Sequence, residues 1–115
     1  MYIMRITNLL NFLGMNPKMK GYQYSRYAVD LLLGQNHPPE IESVYEQVAQ
    51  KFGTNSSCVE RNIRYAIETT WEKGCLNGIL TVFGYTVSQE RGKPTNSEFL
   101  FMLAERIKTN TDKVC

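Results

Sequence analysis

The sequence predicts an all-α fold, a compact domain of six helices that contains a helix-turn-helix at about residues 41–73. Two observations lead to this prediction. Apolar residues recur at intervals of three and four in every long segment. Glycine and proline runs separate these segments at short intervals. The 115 residues, of which 43% are hydrophobic and 21% charged, suit one soluble domain with its own core, so we interpret residues 1–115 as a single domain.

Apolar stripes at helical spacing predict the first two helices. The first stripe consists of Ile6, Leu9, Leu10 and Leu13, and the second consists of Tyr24, Tyr27, Ala28, Leu31 and Leu32. Gly14 with Asn16-Pro17 ends the first helix, and the run 34–39, with one glycine and two prolines, ends the second.

Two further stripes lie on either side of the short turn Gly53-Thr54-Asn55. The first contains Val44, Tyr45, Val48, Ala49 and Phe52, and the second contains Val59, Ile63, Ala66, Ile67 and Thr70. Ser57 and Glu60 have the spacing of a capping box, which predicts the start of the second of these helices. Gly74 is predicted to close it in a left-handed C-cap.

The opposite face of this fourth helix is polar. It carries Ser57, Arg61, Arg64, Tyr65 and Glu68, with Cys58 beside them. In a helix-turn-helix such a face enters the major groove of DNA. An ordinary helical hairpin with a solvated polar face has the same pattern. The net charge of +2 does not decide between them, because acidic residues balance the basic ones along this helix.

The remaining chain contains two more predicted helices. The apolar run 76–83 is too short for periodicity to separate a helix from a strand, and we interpret it as a short helix. A polar loop at 85–94 precedes Thr95 and Glu98, a second capping box. The core face of the last helix consists of Phe99, Leu100, Leu103, Ala104 and Ile107. Arg106 and Lys108 are predicted at its C-terminal end, where cations are favoured.

Several classes of protein are disfavoured. An enzyme is not expected, because the single histidine, His37, lies in a Pro-Pro loop without a catalytic constellation. Three unpaired cysteines predict reduced thiols and no metal or disulfide site, and no cofactor is expected. No segment resembles a signal peptide or a membrane span, so we expect a cytoplasmic protein. Trp71 and the tyrosines near residue 24 are interpreted as core rather than as base-stacking residues.

Specific runs of residues match a known family in its order. They are Lys20-Gly21-Tyr22, Val59-Glu60-Arg61, Ile63-Arg64, Ala66-Ile67-Glu68, Trp71, Phe83-Gly84-Tyr85-Thr86-Val87 and Lys93-Pro94-Thr95-Asn96-Ser97-Glu98-Phe99. With these runs the chain resembles the C-terminal DNA-binding effector domain of the sporulation master response regulator, the stage 0 sporulation protein A family. The likeness spans about residues 6–107.

The resemblance implies sequence-specific binding of double-stranded DNA at sites like TGTCGAA, which are often occupied as tandem pairs, and regulation of transcription. It implies that Cys58, Glu60, Arg61 and Arg64 hold the family's DNA-contacting positions, and Ser57 and Tyr65 on the same face complete the predicted DNA-binding site. It also implies a segment that faces the polymerase sigma subunit. The predicted residues of that segment are Gly74, Leu80, Phe83, Tyr85 and Val87.

The chain departs from the family pattern in several places. Cys58 replaces an arginine, and a thiol cannot make a bidentate contact, so base preference or affinity is expected to differ. Cys58 is either a plain substitution or a redox-sensitive thiol at a helix N-terminus. Tyr65 replaces a histidine, and the loop around His37 is shorter. No receiver domain is expected within the sequence, which fits either a stand-alone effector or a fragment.

These departures leave a second hypothesis open. In it, the domain is a protein-interaction module that contacts the sigma subunit or antagonises a full-length regulator without tight DNA binding. The outward-facing Arg61 and Arg64 favour DNA binding over this alternative.

Overall fold

A computed structural model describes residues 2–35, 39–84 and 92–113 of the chain. These residues form the helices α1 (Ile3–Leu13), α2 (Lys20–Leu33), α3 (Ile41–Phe52), α4 (Ser56–Lys73), α5 (Leu76–Phe83) and α6 (Asn96–Lys113). The described ranges contain no strand. The predicted all-α fold of six helices is therefore confirmed, including the short apolar run that forms α5.

The helix α2 lies at the centre of the domain and packs against α1, α3, α4 and α6. A close approach at Gly21 brings its backbone against α4. A Cβ atom at Gly21 would collide with the Asn62 carbonyl oxygen and would lie 2.6 Å from the Ala66 Cβ. Since α4 also packs on α3 and α6, three elements hold it and its orientation is fixed.

The beginning of α4 differs from the prediction. The helix starts at Ser56, and its N-cap is Asn55, whose side-chain oxygen accepts a hydrogen bond from the Cys58 N–H at 2.8 Å. Ser57 therefore lies inside the first turn, where its hydroxyl cannot serve as the N-cap. The predicted capping box of Ser57 and Glu60 is wrong, because the helix begins earlier than that pattern requires.

The end of α4 also differs. Gly74 has φ −81° and ψ −164°, which is extended backbone, so the predicted left-handed C-cap is wrong. A side chain is excluded there by contact instead: a Cβ atom would overlap the Thr70 carbonyl oxygen and approach the Leu13 carbonyl oxygen. The next residue, Cys75, donates its N–H to that Leu13 oxygen at 2.9 Å. The glycine thus allows the end of α4 to pack on α1.

The start of α6 agrees with the prediction. Thr95 Oγ1 accepts from the Glu98 N–H at 3.1 Å, and Glu98 Oε1 accepts from the Thr95 N–H at 2.8 Å, which is a complete capping box. Its predicted core residues are all buried. The helix continues to Lys113, so Arg106 and Lys108 lie more than a turn before its end, contrary to prediction. Arg106 donates instead to the Thr81 carbonyl oxygen of α5.

An aromatic cluster joins α4, α5 and α6. Phe83 stacks on Phe99 with ring centroids 5.7 Å apart, and Trp71 meets the Phe83 ring edge-on at 5.2 Å. Trp71 is partly buried against the core, in agreement with its interpretation as a core residue. No helix in the described ranges is long and apolar enough to cross a membrane.

Candidate nucleic-acid interface

The polar face of α4 points away from the core. Its inward residues Val59, Ile63, Ala66, Ile67 and Thr70 are buried, as their spacing predicts. On the other side Ser57, Glu60, Arg61 and Tyr65 are exposed, whereas Cys58 and Arg64 are half-buried. The structure therefore brings all six predicted DNA-binding residues to one helix face, with two of them partly covered.

The two arginines of this face are held differently. Among the described residues the Arg61 guanidinium has no hydrogen bond or ion pair, and its charge acts on the Cys58 thiol. Arg64 Nη1 donates to the Pro94 carbonyl oxygen at 2.9 Å, and its Nε lies 3.4 Å from Glu68 Oε2. The Arg64 side chain is consequently only 33% exposed. Arg61 is available for an external ligand, while Arg64 is already engaged.

A cleft of about 640 Å³ opens between this face, α3 and the start of α6. Glu60, Arg61 and Arg64 line one side of it, and Asn96 and Ser97 line the other. Asn96 Nδ2 donates to the Glu60 carbonyl oxygen at 3.0 Å, which joins the two sides. Helical spacing does not reveal this second wall, because Asn96 and Glu60 lie 36 residues apart in the chain. The matched run 93–99 was the available signal.

Tyr45 of α3 contributes the third wall of the cleft. Burial raises the pKa of the Tyr45 hydroxyl and a side-chain hydrogen bond with Asn96 lowers it; the charges of Glu60 and Glu42 raise it further, and the charge of Arg64 opposes them. The hydroxyl is therefore neutral at physiological pH and carries a proton that it can donate.

Cys58 lies in a second, smaller cleft of about 360 Å³, on the α2 side of α4. The Thr54 side chain, which hydrogen-bonds the sulfur, lowers the pKa of the Cys58 thiol; the charges of Arg61 and Lys20 and the Asn62 amide act in the same direction, and burial opposes them. Asn62 Nδ2 lies 3.3 Å from the Cys58 sulfur.

Lys20 is a cation beside the start of α4 that was not among the predicted site residues. Its side chain is exposed and lines the same cleft as Cys58. The matched run Lys20-Gly21-Tyr22 was the signal that could have found it.

The three described residues of the predicted sigma-facing set differ in exposure. Leu80 is 55% exposed, but Phe83 is 1% exposed and belongs to the aromatic cluster, so its ring is covered by the protein itself. Gly74 is half-buried against α1, and Tyr85 and Val87 lie outside the described residues. Leu76, 68% exposed and one turn before Leu80, was missed; its spacing of four from Leu80 was the signal.

A comparison with known protein families identifies the family of the chain. The family model described as sporulation initiation factor Spo0A C terminal matches residues 6–107, which is most of the chain. The match includes the whole polar face of α4, both clefts and the core face of α6. The chain therefore belongs to the Spo0A C-terminal family of DNA-binding sporulation domains.

Proposed function

We propose that the polar face of α4 binds double-stranded DNA sequence-specifically in the major groove and that the domain regulates transcription in this way. The observation that carries the proposal is Arg61: an exposed guanidinium without a hydrogen-bond or ion-pair partner among the described residues, on the second helix of a closely connected pair. An arginine fork matches O6 and N7 of guanine, and one good bidentate pair contributes about 1–3 kcal/mol of discrimination between bases.

The other residues of this face have complementary roles in the proposal. The Glu60 carboxylate accepts from the N4 amino group of cytosine. Ser57, in the first turn of α4, donates to a phosphate where the helix dipole also favours an anion. The hydroxyl of the exposed Tyr65 reaches the backbone of the duplex one turn beyond Arg61.

The length of this face limits how many base pairs it reads. From Ser57 to Tyr65 the helix rises roughly 12 Å at 1.5 Å per residue. DNA rises 3.4 Å per base pair, so this covers about three to four base pairs. A site like TGTCGAA is longer than that. The proposal therefore includes flanking phosphate contacts, for which exposed Lys20 beside the start of α4 is suitably placed.

The balance of charge predicts moderate rather than strong electrostatic attraction. Arg61 and Arg64 share their cleft with Glu60, and Arg64 pairs with Glu68, which leaves Lys20 in the other cleft as a further cation, so few phosphates are neutralised. Since the salt slope of binding scales with the number of neutralised phosphates, we expect a shallow slope.

A second function, contact with a protein partner, is supported by a different observation. Leu76 and Leu80 expose 68% and 55% of their surface, one turn apart on α5, and Phe12 of neighbouring α1 is 48% exposed. Exposed apolar side chains grouped in this way are typical of interaction sites. In this proposal they contact the sigma subunit, and Phe83 supports α5 from inside. The same surface serves the alternative in which the domain is an interaction module without tight DNA binding.

Fluorescence anisotropy tests the DNA proposal directly. The chain is titrated against a duplex with two tandem TGTCGAA boxes and against a scrambled duplex, each at two salt concentrations. We expect a preference for the boxes that weakens as salt rises. Equal, weak binding to both duplexes would contradict reading of this site, and a selection from random duplexes would then separate a changed site from lost DNA binding.

The variant Cys58→Arg tests whether the departure from the family pattern has changed the site. Restoring an arginine at the start of α4 is expected to tighten binding to the tandem boxes. An unchanged affinity would mean that the base preference does not depend on this position.

A further inference from the structure

Two hydrogen bonds attach the beginning of α6 to the polar face of α4. Asn96 Nδ2 donates to the Glu60 carbonyl oxygen at 3.0 Å, and Arg64 Nη1 donates to the Pro94 carbonyl oxygen at 2.9 Å. Their α4 partners, Glu60 and Arg64, lie on either side of Arg61 in the sequence. Pro94 and Asn96 are both buried, so solvent does not compete freely for these bonds. We call this pair of hydrogen bonds the α4–α6 clasp.

We propose that Asn96 and Arg64 are positioning residues, which hold the start of α4 against α6 and thereby set how well Arg61 discriminates between base pairs. This inference rests on the proposed DNA binding and goes beyond it, because it assigns specificity to a residue outside the helix pair. It also gives Arg64 a role that acts through Arg61 rather than through its own base contact.

Asn96 forms the α6 side of one clasp hydrogen bond. It is 8% exposed, and its Oδ1 has no hydrogen-bond partner among the described residues. The unpartnered oxygen costs stability, and the hydrogen bonds of the same side chain to the Glu60 carbonyl oxygen and to Tyr45 offset that cost. The Asn96 Nδ2 is directed to the backbone of α4 immediately before Arg61. Because the capping box of Thr95 and Glu98 fixes the first turn of α6, Asn96 is a rigid support.

Arg64 forms the α4 side of the other clasp hydrogen bond. One nitrogen of its guanidinium is bound to Pro94, and another faces the Glu68 carboxylate, so the plane of the fork is already oriented. A bidentate contact with guanine through Nη1 and Nη2 would compete with the Pro94 hydrogen bond, and one through Nε and Nη2 would compete with the Glu68 carboxylate. Arg61, which has no such restraint from the described residues, is the better base reader, and its orientation depends on the helix turn that the clasp holds.

The test separates the discrimination between two DNA duplexes from the overall affinity for DNA. The preferred duplex of the parent chain is identified by selection from random sequences, and dissociation constants are measured for that duplex and for a scrambled one. The variants are Asn96→Ala, Arg64→Met and Arg64→Lys. Arg106→Met is the matched control, because Arg106 also donates to a backbone carbonyl oxygen, that of Thr81, away from the polar face. Thermal unfolding curves identify a temperature at which every variant is fully folded, and the dissociation constants are compared at that temperature.

We expect Asn96→Ala and Arg64→Met to lower the ratio of specific to non-specific affinity about tenfold, a loss of about 1.4 kcal/mol. Arg64→Lys, which keeps a donor for Pro94, is expected to recover part of this ratio, and Arg106→Met to leave it unchanged. An unchanged ratio in both clasp variants would overturn the inference while leaving the proposed function intact. A parent chain without any preferred duplex would instead overturn the proposed function, and this role of the clasp with it.

Discussion

The outward faces of α4 and α5 are two exposed surfaces of opposite chemistry, and the protein supports them in different ways. The face of α4 is polar, and hydrogen bonds to Pro94 and from Asn96 hold it at its edges. The face of α5 exposes Leu76 and Leu80, and stacked aromatic rings support it from inside. Directional bonds suit a surface that reads base edges, whereas non-directional packing suits one that buries apolar area.

The comparison also separates residues that bind from residues that support. On α4, exposed Arg61 and engaged Arg64 lie one turn apart, and on α5 the same holds for exposed Leu80 and buried Phe83. Substitutions at each pair should therefore change different measured quantities. The following predictions test this separation, beginning with the largest effect.

Phe83→Ala should give the largest loss of stability. Its ring is 1% exposed and stacks on Phe99, so truncation is expected to lower the free energy of unfolding by about 3–5 kcal/mol. Leu80→Ala, on the same short helix but 55% exposed, should change it by no more than about 0.5 kcal/mol. Urea unfolding followed by circular dichroism measures both. Similar losses of unfolding free energy in the two variants would contradict the distinction between Phe83 as a supporting residue and Leu80 as an exposed one.

Arg61→Ala should weaken specific DNA binding by about 1–3 kcal/mol, the contribution of one bidentate base contact. The fold should not change, because the guanidinium is exposed and has no hydrogen bond or ion pair with the described residues. Anisotropy titrations with the preferred duplex measure the loss. Leu80→Asp is the control on the other face, for which we expect unchanged DNA affinity. Equal affinity of Arg61→Ala and the parent would remove Arg61 from the proposed site.

Asn55→Ala should cost about 1 kcal/mol of unfolding free energy, the usual contribution of an N-cap. Its side chain accepts from the Cys58 N–H at 2.8 Å, at the end of α4 that enters the major groove in the proposal. Ser57→Ala, two residues later, should cost no more than about 0.5 kcal/mol because Ser57 is not the cap. Thermal unfolding of both variants measures these losses. A larger loss of stability in Ser57→Ala than in Asn55→Ala would support the predicted capping box of Ser57 and Glu60 instead.

The smallest effect is expected from the protonation of Cys58, whose pKa is lowered mainly by the Thr54 hydrogen bond. The rate of alkylation of Cys58 by iodoacetamide should therefore rise at a lower pH than that of a cysteine in an unstructured peptide. Because the folded-state pKa lies below the unfolded value, the stabilisation is present above the unfolded pKa and is lost as pH falls through the folded pKa.

Mass spectrometry of the Cys58 peptide, in a Cys75→Ser background, gives the rate at each pH. The variant Thr54→Val is the control, and it should move the midpoint back toward that of the peptide. A midpoint in the parent at or above the peptide value would contradict the assigned environment of the thiol.

Local patterns predicted the helices well because each stripe depends on residues three and four positions apart. The Thr95–Glu98 capping box and the glycine that ends α1 are local in the same sense, and both were confirmed. The beginning of α4 was misassigned because Asn55 and Ser57 are both good capping residues, and spacing alone favoured the wrong one. The matched runs were sufficient to indicate the family, because their order and spacing are themselves properties of the sequence.

The helical fold, the family and the outward side of α4 follow from the amino-acid sequence alone, since periodicity and motif order are written in the chain. Tertiary contacts were needed to establish that Arg64 is engaged, that Phe83 supports α5 from within, and that Gly74 avoids a collision instead of adopting a left-handed turn. Each of these depends on a contact between elements distant in sequence. Helical spacing specifies the direction of a side chain from its own helix axis, but the neighbouring helix determines what that side chain meets.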